Sequence, residues 1–571
     1  MDFKRLLLAS ALSLGVIVLW NVYLFPPAPP RPPAGPVTAS KAPAVPSETS
    51  PATPVAPPDT SPGAPPPSPS SSPIVARAEA ARPEEKTIET ALYRVRVSNQ
   101  GAVITAWQLK SYSDDQRKPL DLVSPGSAKV KRFPLGLEFA DSQLTEKLGS
   151  ALFEMDTGPG ETAAETRVAL HYSDGAGIDV TKTLRFVQDS YVVRLEIHAR
   201  RNGAPLEGYL IWGAGLGPDE GLASNSHNRA EVVRAVVRRD GAIVRLPRES
   251  LKGKPVLAQP GGVLWAGLED HYFAGILIPE GGAAGTVVRA HQILEEGREK
   301  NFLSLGLALP PDGQLSLFVG PKDYNLLASL KLGIEGIVDF GFFGSIAHAL
   351  FFLLQHINRY TGNWGWSIIL LTFFIRLAFF PLTQKASVSM RHTQEKMKKI
   401  QPRLQAIKDR YRKMKKDVGS RQKMNEEMMA LYSKEGVNPV AGMTGCLPLL
   451  LQLPILWGFY NLLNSAIELR HAPFLFWITD LSKKDPYYVT PIVMGITMLI
   501  QQVMTGSAIP DAAQRRIMML MPVMFTWFFK DLPSGLVLYW LVNNILAIGQ
   551  QYLINAQVER EISAKKVPAR G

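Results

Sequence analysis

The sequence predicts a polytopic α-helical membrane protein with six spanning helices, a large all-β sandwich domain after the first span, and a charged helical hairpin after the second. Three observations lead there. Apolar residues gather into long runs near the two ends of the 571-residue chain. Residues 86–332 instead alternate apolar and polar side chains between turn signals. The basic residues behind a net charge of +12 lie beside the apolar runs, as they do at membrane surfaces rather than along a nucleic-acid-binding face.

At the N-terminus, Lys4 and Arg5 precede a run through residue 25 that is long enough to cross a hydrocarbon core. The first Ala-x-Ala triplet falls inside that run and prolines crowd its end, so residues 1–25 read as an uncleaved anchor rather than a signal peptide. Nineteen prolines between Pro26 and Pro73, with no Leu, Ile, Phe, Tyr or Trp among them, make residues 26–85 a disordered, extended linker. In the β domain the pattern is explicit: Val193, Leu195 and Ile197 alternate with Arg194, Glu196 and His198, and "NQGA", "RNGAP" and "PDGQ" supply turns. Residues 333–361 contain an apolar stretch too short to span, broken by Gly341, Gly344 and His348, and read as an amphipathic helix lying along the interface.

Five further spans are expected at about 364–382, 443–463, 491–504, 517–529 and 536–554, the fourth and fifth of the six being short. Charge orients them. The loop 385–435 holds fifteen Lys and Arg against six acidic residues, which places it, Arg515 and Arg516, the short tail 559–571 and both termini in the cytoplasm. The loop itself reads as two charged helices broken near Gly419, with a basic face including Lys398, Lys399, Arg410, Arg412 and Lys413 that suits ribosomal RNA, anionic lipid or a nascent chain, or simply solvent.

Within the spans the informative residue is Arg376. A cation there costs about 2.5–3.5 kcal/mol on insertion scales, so it either snorkels toward the headgroups near Lys385 or faces a polar cavity. Gln452, Gln501, Gln502, Asn543, Asn544, Gln550 and Gln551 fall mostly in the cytoplasmic half of their helices, and no Asp or Glu accompanies them. These amides serve either interhelical hydrogen bonds or the same cavity. Methionines cluster in the spans and the loop, where flexible thioethers fill cores or meet varied apolar sequences. The sole cysteine, Cys446, excludes an intrachain disulfide, and no metal or cofactor is expected. Nucleotide-binding, zinc-protease and hydrolase motifs are missing, so the chain does not read as an enzyme.

The motifs "TFFIRLAFFPLT", "NEEMMALYSKEGVNPVAGMTGCLPLLLQLPILWGFY", "ELRHAPFLFWITDLSKKDPYY" and "LPSGLVLYWLVNN" resemble those of the YidC membrane-protein insertases in the long form of Gram-negative inner membranes. The resemblance covers nearly the whole chain apart from the proline linker. It implies a five-helix core, 362–558, around a hydrophilic groove open to cytoplasm and lipid, with the β-sandwich in the periplasm. It assigns the groove arginine to Arg376, a substrate-contacting threonine to Thr372 and an aromatic pair to Tyr539 and Trp540. Trp540 lacks the hydroxyl of the commoner tyrosine, which leaves packing as its role. The implied partners are newly made membrane proteins, the bilayer, the Sec translocon and, through the cytoplasmic loops, the ribosome. A channel or solute transporter and a membrane-tethered carbohydrate-binding protein are the alternatives that the same polar cavity and β-sandwich allow.

Overall fold

Strand alternation builds the first half of the chain. The structure, a computed structural model, describes residues 77–114, 117–162, 164–218, 233–251, 256–295, 298–412, 418–435, 447–505 and 512–566. The expected anchor, and the proline-rich segment through residue 76, lie outside the described residues. From Arg77 the chain already belongs to the β domain. Ala78 is buried and bridges to Ser173, and the Ala80 N–H donates to the Leu152 carbonyl. The boundary expected at 86 therefore moves back, because backbone pairing holds this stretch without large apolar side chains.

Four antiparallel strands, Glu85–Glu89, Tyr93–Ser98, Val103–Ser113 and Pro119–Asp121, form one sheet; a second sheet has fourteen strands. All pairings in both are antiparallel. Tyr93 of the smaller sheet has its ring 4.7 Å between centroids from Trp107 of the same sheet and 6.2 Å from Tyr191, which leads into the strand Val192–Arg201 of the larger. The strand Ile178–Val187 shows why the sheets stay in register. Its inward positions are Ile178, Val180, Leu184 and Phe186, with Lys182 among them. Burial pushes the Lys182 amine down to about 7, and its Nζ is satisfied by the carbonyls of Leu135 at 2.7 Å, Ala102 at 2.9 Å and Gly101 at 3.2 Å.

A buried charge cluster carries the β domain over to the helices. Glu269, fully buried, receives Arg234 at 2.7 Å, Arg245 at 2.9 Å and Lys322 at 3.0 Å. Burial by itself would raise its pKa, but Lys322, Arg234 and Arg245 hold the carboxyl below its usual range. Arg245 also donates to the Gly336 and Ile337 carbonyls, in the turn that leads to the first helix. On the far side, Arg470 donates to the Ser113 carbonyl at 2.8 Å and lies over the rings of Phe273 and Tyr272 at 5.5 and 5.9 Å. The sheet thus holds the connection between two helices from above.

Seven helices follow: α1 (Gly344–Thr361), α2 (Trp364–Arg412), α3 (Val418–Lys434), α4 (Leu447–Ser465), α5 (Val489–Thr505), α6 (Ala512–Phe529) and α7 (Ser534–Lys566). α1 buries Ala347, Leu350, Phe351 and Leu354 on one stripe while Phe352 and Leu353 stay exposed. It starts eleven residues later than 333, after a 3-10 turn at Glu335–Ile337, and stops at Gly362, whose φ of +62° returns its N–H to the Asn358 carbonyl.

Helix α2 continues past the expected end of the span at Leu382. It runs for 49 residues with Pro381 and Pro402 inside it, so the second span and the first arm of the hairpin are one rod. The Thr383 hydroxyl bonds the Phe379 and Phe380 carbonyls beside Pro381, and the Lys-, Gln-, Met- and Arg-rich sequence beyond favours helix strongly enough to continue it. α3 folds back on this rod, with Ile400 and Leu404 buried against Met428, Leu431 and Tyr432. Gly419 lies in the first turn of α3, not at a break, and residues 413–417 lie outside the described residues. Residues 436–446 do too, so the expected span at 443 begins as a described helix at Leu447. At the other end, α7 runs through the expected tail as far as Lys566.

Of the described helices, Trp364–Tyr411 is long and apolar enough to cross a membrane, whereas Val489–Met504 and Met519–Phe529 are shorter apolar stretches. Side-chain contacts fix their directions. α2 and α7 are parallel, since Arg376, Thr383 and His392 meet Asn543, Gln550 and Glu561 in ascending order. α5 is parallel to α7 through Met494–Asn544 and Met504–Asn555. α4 is antiparallel to α7, with Leu463 beside Gly535 and Phe459 on Tyr539.

Two outcomes follow at the junction. Arg470→Ala removes a charge-assisted bond and two ring contacts, and is expected to raise amide hydrogen exchange at 111–113 and 271–273 in the full-length protein; unchanged exchange would show that the junction is held elsewhere. Burial raises the pKa of Glu468, whose Oε1 accepts from Gln355 at 3.1 Å, to about 7. Between about pH 4.5 and 7 the folded protein keeps a proton that the unfolded chain has lost, so this group's contribution declines as pH rises through that window. Glu468→Gln should therefore match the native thermal midpoint near pH 5 and exceed it at pH 8, and a gap that does not change with pH would refute the assignment.

Candidate functional site

The site is built on three turns of α7. Leu536, Val537, Leu538, Tyr539 and Trp540 are all buried, so the helix is apolar all round where it enters the bundle. Asn543 and Asn544 come next, about 100° apart on the helix, and each faces a different neighbour. The side-chain oxygen of Asn543 accepts from Arg376 Nε at 2.7 Å and its carbonyl accepts from the same guanidinium at 3.2 Å. Asn544 donates to the Thr497 hydroxyl at 3.4 Å and the Met494 carbonyl at 3.5 Å.

Arg376 is half-buried between α2 and α7, and among the described residues no carboxylate lies within ion-pair distance of it. Its guanidinium is directed at Asn543 on α7 in this conformation. Asn543 takes up two of about five N–H donors. The remaining edge keeps the fork geometry that matches a carboxylate or a row of peptide carbonyls.

The other expected residues are placed as follows. Gln452 on α4 donates to the Tyr539 hydroxyl at 3.1 Å, and the Tyr539 ring stacks on Phe459 at 4.4 Å. Trp540 turns the other way, against Phe529 at 5.1 Å and Phe525 at 6.2 Å, and its indole N–H is buried without a partner. Thr372 is buried and its hydroxyl donates to the Ile368 carbonyl at 2.6 Å, so in this conformation it closes on its own helix. Gln501 is half-buried near the end of α5, one turn beyond Thr497. Gln452, Asn543, Asn544 and Gln550 thus bond to neighbouring helices and Gln551 to Asn555 on its own helix, and the arginine takes part in that network through a neutral partner.

On the hairpin, Lys398 pairs with Glu395 at 3.1 Å, Arg410 with Glu427 at 3.3 Å, and Lys399 is exposed. The Arg412 side chain and Lys413 lie outside the described residues.

Sequence reasoning missed a polar seam that continues from Arg376 down the α2–α7 contact. Gln550 donates to Thr383 at 3.0 Å, Gln384 to Gln557 at 3.2 Å, and His392 meets Glu561 at 3.0 Å. A signal existed: Asn543, Gln550 and Gln557 recur at seven-residue intervals, the spacing of a helix-pairing stripe.

Residues 356–561 match the 60Kd inner membrane protein family, and residues 85–353 match the YidC periplasmic domain. A membrane protein insertase YidC of Syntrophus aciditrophicus is 33% identical over 97% of this chain and 99% of its own length. One of Citrifermentans bemidjiense is 36% identical, again over 97% of this chain and 99% of its own. A crystal structure of an active YidC insertase with its first transmembrane domain resolved aligns over 84% of this chain and 95% of that one, at 18% identity and a TM-score of 0.34. With a bilayer-length apolar helix carrying an uncompensated arginine, a β-sandwich joined to it, and relatives matched from end to end, the chain belongs to the YidC membrane protein insertase family.

Proposed function

We propose that this chain inserts newly made proteins into the bacterial inner membrane, and helps them fold there, without nucleotide hydrolysis. The observation that carries the reading is Arg376, a half-buried cation whose described partner is a neutral amide. A polar or acidic stretch of a substrate, arriving from the cytoplasm, exchanges water for the guanidinium and the amides of the seam. Its apolar segment meanwhile slides along α2 and α7 into lipid. Burial of that segment supplies the drive, at about 25 cal/mol per Å². Dividing the transfer of the polar stretch into short steps lowers the barrier.

In this reading α2, α4, α5, α6 and α7 span the membrane together with the N-terminal anchor, making six spans with both termini in the cytoplasm. The shared direction of α2, α5 and α7 supports such alternation. The hairpin 385–435 then stands in the cytoplasm, where its basic face meets the ribosome or a nascent chain, and the β domain lies in the periplasm. Work alone or beside the Sec translocon is compatible with a groove that opens sideways to lipid. Thr372, Tyr539 and Trp540 become substrate contacts only when the packing described above opens.

A charge-assisted hydrogen bond is worth about 1.5–3 kcal/mol, or roughly tenfold or more in rate. Arg376→Ala, compared with the native protein at equal amounts in vesicles, should slow insertion of small proteins with acidic translocated ends by about that factor, while neutral-ended substrates change little. Asn543→Ala should leave the arginine in place and produce a smaller loss. Equal insertion of every acidic substrate by Arg376→Ala would overturn the electrostatic role, and ion flux through the purified protein in liposomes would favour a channel.

A further inference from the structure

A recess of about 570 Å³ opens at the foot of the α2–α7 contact, beside the lower rungs of the polar seam at Gln384–Gln557 and His392. Lys385, Ser389, His392 and Lys396 line it from α2, and Gln557 from α7. None of its lining residues is a carboxylate, and His392 meets Glu561 at 3.0 Å. Lys385, Ser389, His392 and Lys396 follow one another at i, i+4, i+7 and i+11, so they form one stripe of the helix.

The same stripe, followed toward the N-terminus of α2, changes character. Leu382, Ala378 and Phe374 lie three, seven and eleven residues before Lys385, and all are exposed. On α7, Leu553 lies one turn before Gln557 and is also exposed. One stripe of α2 therefore runs from exposed apolar side chains into a cationic, hydroxyl-lined recess. The complement of that surface is a molecule with an anionic, hydrogen-bonding head and a long apolar tail. Basic pockets between helices at the cytoplasmic boundary bind anionic headgroups in this way.

We infer that the recess at Lys385, Ser389, His392 and Lys396 is a binding site for the phosphate headgroup of an anionic phospholipid, whose acyl chains lie on the Phe374–Leu382 strip. The two lysines meet the phosphate charge, the Ser389 hydroxyl and the Gln557 amide bond its oxygens or the glycerol hydroxyls, and the apolar strip is covered. An acidic peptide would complement the charge of the recess but leave that strip bare. The inference rests on reading α2 as membrane-spanning. It adds to the insertase reading a lipid that sits where the polar seam meets the bilayer.

The test uses the full-length protein in mild detergent, with retention of added lipid followed by native mass spectrometry. Phosphatidylglycerol should be retained about tenfold more than phosphatidylcholine. Lys385→Gln combined with Lys396→Gln should abolish the preference, Lys385→Arg with Lys396→Arg should keep it, and Lys408→Gln with Lys434→Gln, the same charge change on the hairpin, should leave it intact. Inorganic phosphate at the concentration of the lipid should not displace phosphatidylglycerol. Equal retention of the two lipids, full retention by the double glutamine variant, displacement by phosphate alone, or displacement by a glutamate-rich peptide would each overturn the assignment. No substrate protein is present, so a loss here is read separately from any loss of insertion.

Discussion

A cation placed in an apolar helix, with no opposite charge beside it among the described residues, is the constraint around which the helical half of this protein is arranged. Neutralising Arg376 with a carboxylate would satisfy it and also silence it. Asn543 instead supplies oxygen acceptors that carry no net charge, which keeps the guanidinium in position and leaves its field available. The next residue, Asn544, binds α5, so one dipeptide of α7 holds two neighbouring helices. Because the contacts ascend together, the three helices must be parallel, and the intervening ones must return.

The continuity of α2 extends that arrangement beyond the bundle. From Arg376 to Arg412 the helix rises about 54 Å as one rod. The contact of α3 with its far part, through Ile400 and Leu404, is small and locally apolar. Between that contact and the arginine, Thr383, Gln384, Gln550 and Gln557 hold α2 to α7 by hydrogen bonds between neutral groups.

At the opposite end the β domain acts as a fixed support. Glu269 gathers Arg234, Arg245 and Lys322 into a buried cluster, and Arg245 passes the contact on to the turn before α1. Arg470 closes the circuit from the connection after α4. The helices are thus clamped where they meet the sheet and joined by softer amide bonds toward the foot of α7.

Much of this was legible in the residues. Period-two alternation located the β-sandwich, the run from Trp364 located a bilayer-length helix, and the excess of lysine and arginine in 385–435 set that loop apart. Arg376 and the Asn543–Asn544 pair were identifiable because polar groups in apolar helices are few. Local pattern could not decide that Pro381 leaves α2 unbroken, that Ala78 pairs with Ser173, or that Thr372 turns its hydroxyl to Ile368. Each depends on neighbours distant in sequence or on competition between nearby acceptors. The pairing of Arg376 with an amide 167 residues away, and the rungs below it, belong to the same class. Sequence determined which side chains had to be kept from lipid; only tertiary packing decided which partner each would find, because hydrogen bonds are satisfied by position and not by composition.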